Sequence, residues 1–165
     1  MSRIALVVHN VRSSHNVGSI LRTADGLGAE SVYLTGYTPY PKMDNDPRLP
    51  HLADKTDRRI KKTALGAETT VKWHYMKDVE AAISRLKKGG YQVAALEQTP
   101  NAMTLQEFTP AGDIALVCGS EVGGLPKEVI ALCDIELAIP MFGAKESLNV
   151  SIAAAIALYH LRFKP

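Results

Sequence analysis

The sequence predicts an α/β domain with a mostly parallel sheet flanked by helices. Three observations carry that prediction. Short β-rich runs alternate with helical patterns along the chain, the order that βαβ units produce. Several runs are almost continuously apolar, as strands covered on both faces require. The 165 residues, 46% hydrophobic and 22% charged, suit one domain with a core large enough to fold alone.

The strand runs are "IALVV" (4–8), "SVYLT" (31–35), "TTVKWHY" (69–75), "YQVAAL" (91–96), "IALVCG" (114–119) and "IELAIP" (135–140). Between them, helical spacing predicts helices at 17–27, 54–65, 77–88, 126–132 and 147–162. In the first helix Val17, Ile20, Leu21, Ala24 and Leu27 form the core stripe, while Arg22 shares its side with the small residues Ser19 and Gly26. The stretch 36–55 breaks the alternation. Its prolines permit neither a helix nor a central strand, and loops this long are uncommon and often functional.

Composition excludes several classes. A net charge of +2 means that any nucleic-acid surface must come from local clustering. No apolar run approaches a membrane span, and "MSRIALVVHN" is too short for a signal peptide. Cys118 and Cys133 lack CxxC spacing and read as reduced thiols of a cytoplasmic protein, and the five histidines are scattered, so no metal site is expected.

Three segments carry chemistry. In "HNVGSILRTADGLGA" (15–29), Asn16 stands at the helix start, where an N-cap is the plain structural reading, and Arg22 is a long cation on a bare face. In "CGSEVGGLP" (118–126), Gly119, Gly123 and Gly124 allow a sharp turn after a strand, and Glu121 sits inside the bend. That position is where α/β sheets bind ligands, but neither G-x-G-x-x-G nor a Walker motif is present. In "IPMFGAKESLNVSIAAAIALYHL" (139–161), Ser147 reads as an N-cap and Asn149 falls in the first turn of an alanine-rich helix able to pack against a partner subunit. Beside the long loop, Lys55, Arg58, Arg59, Lys61 and Lys62 concentrate positive charge. They are either a solvated helix face or a phosphate-contacting patch.

Together these segments resemble, in order and separation, the three motifs of the SpoU (TrmH-like) RNA 2′-O-ribose methyltransferases of the SPOUT superfamily, over essentially the whole chain. The resemblance implies a single domain, 1–165, without a separate RNA-binding domain, whose C-terminal part (about 93–165) forms a deep trefoil knot. It implies S-adenosyl-L-methionine as cofactor, released as S-adenosyl-L-homocysteine, with no metal. The cofactor contacts it implies are Leu96, Glu97, Gln98, Cys118, Gly119, Glu121, Gly124, Ile139, Pro140, Met141, Ser147, Leu148 and Asn149. It further implies a homodimer in which catalytic residues of one subunit face the cofactor of the other.

Arg22 carries over onto the family's catalytic arginine, with Asn16, Glu121, Ser147 and Asn149 ordering it, the ribose and the cofactor. A guanidinium has no lone pair, so Arg22 is read as an anchor for a phosphate beside the target ribose and as a stabiliser of the developing alkoxide. The expected partner is RNA, either tRNA or rRNA with tRNA preferred, and not DNA or a membrane. Arg22, Arg48, Arg58, Arg59, Lys61 and Lys62 are expected to contact it. The alternatives are an RNA-binding protein of the same fold without catalysis, and a nucleotide-cofactor enzyme that would lack its phosphate fingerprint.

Overall fold

The computed structural model describes residues 2–164. Seven parallel strands form one sheet in the order β3-β2-β1-β6-β4-β7-β5. They are β1 (Ile4–His9), β2 (Ser31–Thr35), β3 (Trp73–Met76), β4 (Gln92–Leu96), β5 (Met103–Thr104), β6 (Ile114–Cys118) and β7 (Ile135–Ala138). The helices are α1 (Ser14–Gly26), α2 (Pro50–Ala64), α3 (Ala67–Thr70), α4 (Val79–Lys88), α5 (Lys127–Ile130) and α6 (Val150–Phe163).

The apolar runs explain the layering. Every residue of β1, β2 and β6 is buried. Side chains alternate along a strand, so β1 sends Ile4, Leu6 and Val8 into one core with Val17, Ile20, Ile60 and Leu158. Ala5 and Val7 face the other way, packing with Ile83, Leu86 and Val129. Helices α1, α2 and α6 thus cover one face of the sheet, and α4 and α5 the other. Burying each of these large aliphatic side chains contributes roughly 1.5–3 kcal/mol.

Several boundaries differ from those expected. Of the expected strand 69–75, residues 69 and 70 belong to a helical turn (67–70), and the strand begins only at 73 and runs to 76. The two-residue β5 carries too little pattern to be read from sequence. The 36–55 loop ends earlier than expected, because Pro50 opens α2 from its first turn, where its missing N–H costs nothing. Ser13, not Asn16, caps α1, its side chain accepting from Asn16 N at 3.2 Å. Asn149, not Ser147, caps α6, accepting from Ser151 N at 2.9 Å. Of the α6 alanines, Ala154 and Ala157 are fully buried in the chain's own core.

One close approach fixes α1 against α2. A Cβ on Gly18 would collide with Thr63 Oγ1 and the Ile60 carbonyl, and would lie 3.0 Å from Ala64 N. Only glycine allows that contact. Thr63 Oγ1 also donates to the His15 carbonyl at 2.8 Å, pinning the two helices together.

Candidate functional site

The segments that follow β1, β4, β6 and β7 meet at the carboxyl edge of the sheet. The last three wall an open cavity of about 280 Å³, in the place where α/β sheets collect ligands. Its lining includes Leu96, Glu97 and Gln98 at the end of β4, Cys118 to Gly124 from the last residue of β6 through its turn, Ile139 after β7, and Glu146, Ser147 and Leu148 before α6. Ten of the thirteen expected cofactor contacts therefore share one cavity. The other three do not line it. Pro140 lies on a neighbouring depression with Ile156, Tyr159 and Phe163. Met141 is half-buried outside both, and Asn149 caps α6 through its Oδ1.

Sequence reasoning singled out Gly123 only as a turn residue and did not single out Ser120, Val122, Glu146, Val150 and Ala153, all of which also line the cavity. All but Ala153 sit beside or between expected contacts. Contiguity with those contacts was the available signal.

Glu121 ties the β6 turn to the start of α1. Its Oε2 accepts from Arg12 N at 2.9 Å, and its Oε1 accepts from Ser13 N at 3.2 Å and from Asn16 Nδ2 at 2.9 Å. Burial pushes its carboxyl up. The N–H groups of Arg12 and Ser13 and the Asn16 amide outweigh that, holding it below the usual carboxylate range. Glu121 is therefore an ionised acceptor that organises the start of α1. Asn16 extends the network, its Oδ1 accepting from Asn149 Nδ2 at 3.3 Å. Glu121, Asn16 and Asn149 thus form one hydrogen-bonded chain at the rim.

Glu97 makes a second brace. Its Oε2 accepts from Leu125 N at 2.6 Å and its Oε1 from Gln98 N at 3.0 Å, tying the β4 exit to the β6 turn. Gly124, at φ 62°, has the same carboxylate packed against it, and a Cβ there would lie 2.8 Å from Glu97 Cδ. Cys118 forms part of the floor. Burial, reinforced by the Glu97 charge, pushes its thiol up to about 12, so it stays protonated and inert.

Arg22 stands apart from this cavity. Six residues beyond Asn16, it lies about 9 Å further along α1 and about a third of a turn around it. It is exposed on a shallow depression with Ser19, Thr23, Lys62, Thr63 and Leu65. Arg58 and Arg59 are exposed nearby on α2. Lys61 is held by Asp57 at 2.6 Å. Arg48 departs from its expected role as an RNA contact. Its Nη2 pairs with Asp46 at 2.5 Å, Nη1 donates to the Tyr40 carbonyl at 2.9 Å, and the guanidinium lies 3.7 Å over the Tyr40 ring. With its donors spent inside the loop, Arg48 is a staple for 40–48.

Among the described residues no group of three or more His, Cys, Asp or Glu side chains could hold a metal, and no helix is long and apolar enough to cross a membrane. The cavity fits S-adenosyl-L-methionine in chemical character. Leu96, Cys118 and Ile139 offer apolar surface, while Glu97, Glu121 and Glu146 complement its sulfonium and ammonium charges.

The model of the SpoU rRNA Methylase family matches residues 3–159. The chain is 30% identical over 156 residues to the tRNA (guanosine(18)-2'-O)-methyltransferase of Escherichia coli K12, an alignment spanning 94% of this chain and 61% of that protein. Its fold matches a solved structure concerned with the 2-OH methylation of C/U34 on tRNA, with TM-score 0.76, 27% identity, and 96% and 93% of the two chains covered. It also matches the SpoU methyltransferase AviRb from Streptomyces viridochromogenes, solved with AdoMet, at TM-score 0.77 over 96% of this chain and 56% of that one; at 23% identity this likeness concerns the fold alone. The two first-matched curated relatives are longer, and this chain spans 65% and 61% of their lengths. With the family model matching nearly its whole length, the chain belongs to the SpoU rRNA Methylase family.

Proposed function

We propose that the protein transfers a methyl group from S-adenosyl-L-methionine to a ribose 2′-hydroxyl of RNA, with tRNA as the substrate class. One observation carries this reading. Two of the three motif segments, with Leu96, Glu97 and Gln98, line a single cavity where ten of the expected cofactor contacts stand together, and the first motif segment reaches its rim through Asn16. The tRNA preference draws on the relatives, whose names concern guanosine 18 and C/U34 of tRNA.

The bound cofactor supplies the electrophilic methyl group, and the chain supplies everything else. Leu96, Cys118 and Ile139 seat the apolar part of the ligand, Glu97 holds the β4 and β6 walls in register, and Glu121 ties the β6 wall to the start of α1. Arg22 grips a phosphate beside the target ribose and stabilises negative charge developing on the oxygen. Having no lone pair, it does not take the proton. Glu121, held ionised by three donors, is likewise a poor base.

Because Arg22 lies outside its own cavity, on a separate depression, we place it against the cavity of a second subunit in a homodimer. The exposed face of α6 supports this. Ile152, Ile156, Tyr159 and Phe163 are 52%, 41%, 62% and 62% exposed and fall within about 60° of one another around the helix. Residues 1–165 form one SpoU-type domain in this reading, and 93–165 carry the trefoil knot, which the placement of β4 between β6 and β7 supports. The free thiols Cys118 and Cys133 suit the cytoplasm.

The test is methyl transfer from tritiated S-adenosyl-L-methionine to unmodified tRNA, followed by alkaline hydrolysis. The expected result is label at one alkali-resistant linkage, whose position identifies the nucleotide. Cofactor binding with no transfer to tRNA or rRNA would point to a missing partner or another substrate, and absence of cofactor binding as well would favour the non-catalytic reading.

A further inference from the structure

The face of α2 turned away from the core is a continuous basic stripe. With about 100° per residue, His51, Lys55, Arg58, Arg59 and Lys62 fall within an arc of about 100°, opposite the buried residues Ala53, Asp57, Ile60 and Ala64. All five are exposed. The stripe spans about 16 Å of helix, enough to follow several successive phosphates of one strand.

The local acids do not neutralise it. Asp54 is one turn from Arg58, but Lys42 Nζ takes it at 2.8 Å. Asp57 is turned inward, accepting from Lys42 N at 3.0 Å and pairing with Lys61 at 2.6 Å. Lys55, Arg58, Arg59 and Lys62 have no ion pair among the described residues. The stripe also has a fixed bearing. The Gly18 contact and the Thr63–His15 bond lock α2 onto α1, so that Lys62 and Arg22 share one depression.

We propose that Lys55, Arg58, Arg59 and Lys62 form a track along which the phosphate backbone of the RNA substrate lies on its way to Arg22. This rests on the reading of the chain as an enzyme acting on RNA. It adds that the catalytic domain carries its own RNA-docking surface, on an element that contributes nothing to the cofactor cavity. Lys61, on the flank and paired, is not part of the track.

The experiment compares the wild type with K55Q/R58Q/R59Q/K62Q, with the charge-preserving K55R/R58K/R59K/K62R, and with a charge-matched control, K72Q/R85Q/K88Q/K127Q. Binding of fluorescent unmodified tRNA is measured by anisotropy across a salt series without cofactor, beside the KM values for tRNA and S-adenosyl-L-methionine. Circular dichroism checks folding. Each lost phosphate contact lowers the slope of log K against log salt by about 0.7–0.9, so the stripe variant is expected to lose about 3 in slope. Its KM for tRNA should rise at least tenfold with its KM for S-adenosyl-L-methionine unchanged. The charge-preserving variant should keep the wild-type slope. Equal slopes for stripe variant and wild type, or equal losses in stripe and control variants, would overturn the track while leaving methyl transfer intact. A wild type that neither binds nor methylates RNA would overturn both.

Discussion

Asn16 and Asn149 lie 133 residues apart in the chain and share a hydrogen bond of 3.3 Å at the rim of the cavity. Asn16 reaches Asn149 through Oδ1 and Glu121 through Nδ2, so one amide joins all three motif segments. The arrangement depends on Ser13 having taken the capping role, which frees the Asn16 side chain.

Replacing Glu121 by Gln removes the charge that three donors converge on, and points an amide NH2 at one of them. A hydrogen bond to a charged group is worth about 1.5–3 kcal/mol, so we expect methyl transfer to fall by one to two orders of magnitude with folding retained. The Glu121 carboxyl lies below its ordinary 4.5, so its stabilisation is present above that pH and is lost as pH falls through the lower folded value. Urea unfolding at pH 7 and pH 4 should therefore show a smaller pH-dependent loss in Glu121→Gln than in the wild type. An identical loss would remove Glu121 from the network.

Gly124 and Glu97 should behave as a coupled pair. Gly124→Ala forces a left-handed backbone on alanine, which costs about 1–2 kcal/mol, and drives its Cβ into the Glu97 carboxylate. Glu97→Ala alone leaves the Leu125 N–H without its acceptor. In a double-mutant cycle read by cofactor affinity, the double variant should be less impaired than the sum of the two single variants. Strict additivity would show that the two residues act separately.

His9 gives the fold a separate dependence near neutral pH. It is 7% exposed, with Nδ1 3.0 Å from Thr35 Oγ1 and Nε2 3.0 Å from Asn10 Nδ2. Burial lowers its pKa, against the raising effect of Glu128. Below about pH 6.5 the unfolded chain takes up a proton that the folded chain refuses, so stability falls from there until the lower folded value is passed. His74, also lowered by burial and by Arg85 and Lys72, adds in the same direction. Urea midpoints at pH 7.5 and 5.5 should differ less in His9→Gln than in the wild type, and an unchanged difference would assign the effect elsewhere.

Much of this was legible in the chain. The continuous apolar runs of β1 and β6 and the 17-20-21-24 stripe of α1 depend on burial, which composition records directly. The ordered motifs pointed to the β6 turn and the segment before α6, while the Leu96–Gln98 wall was named only through the family resemblance. What escaped were features set by tertiary contact. Ser13 outcompetes Asn16 as a cap, and β5 exists only because β7 lies beside it. Arg48 looks like any loop cation until Asp46 and Tyr40 close around it. The separation of Arg22 from the cavity was implied only by the family resemblance; spacing and periodicity could not show it, since it depends on how α1 lies against the sheet.

That separation supplies the most direct test of the central claim, that Arg22 of one subunit completes the cavity of another. Arg22→Ala subunits keep an intact cavity, and Ser147→Trp subunits keep Arg22 while filling the cavity mouth. Each variant alone should be inactive on tRNA, with cofactor binding retained only in the first. Mixed at equal concentration and allowed to exchange, they should regain about a quarter of wild-type methyl transfer, because half the dimers pair unlike subunits and each of these holds one complete site. A mixture no more active than its components, with mixed dimers demonstrated by native mass spectrometry, would contradict the account.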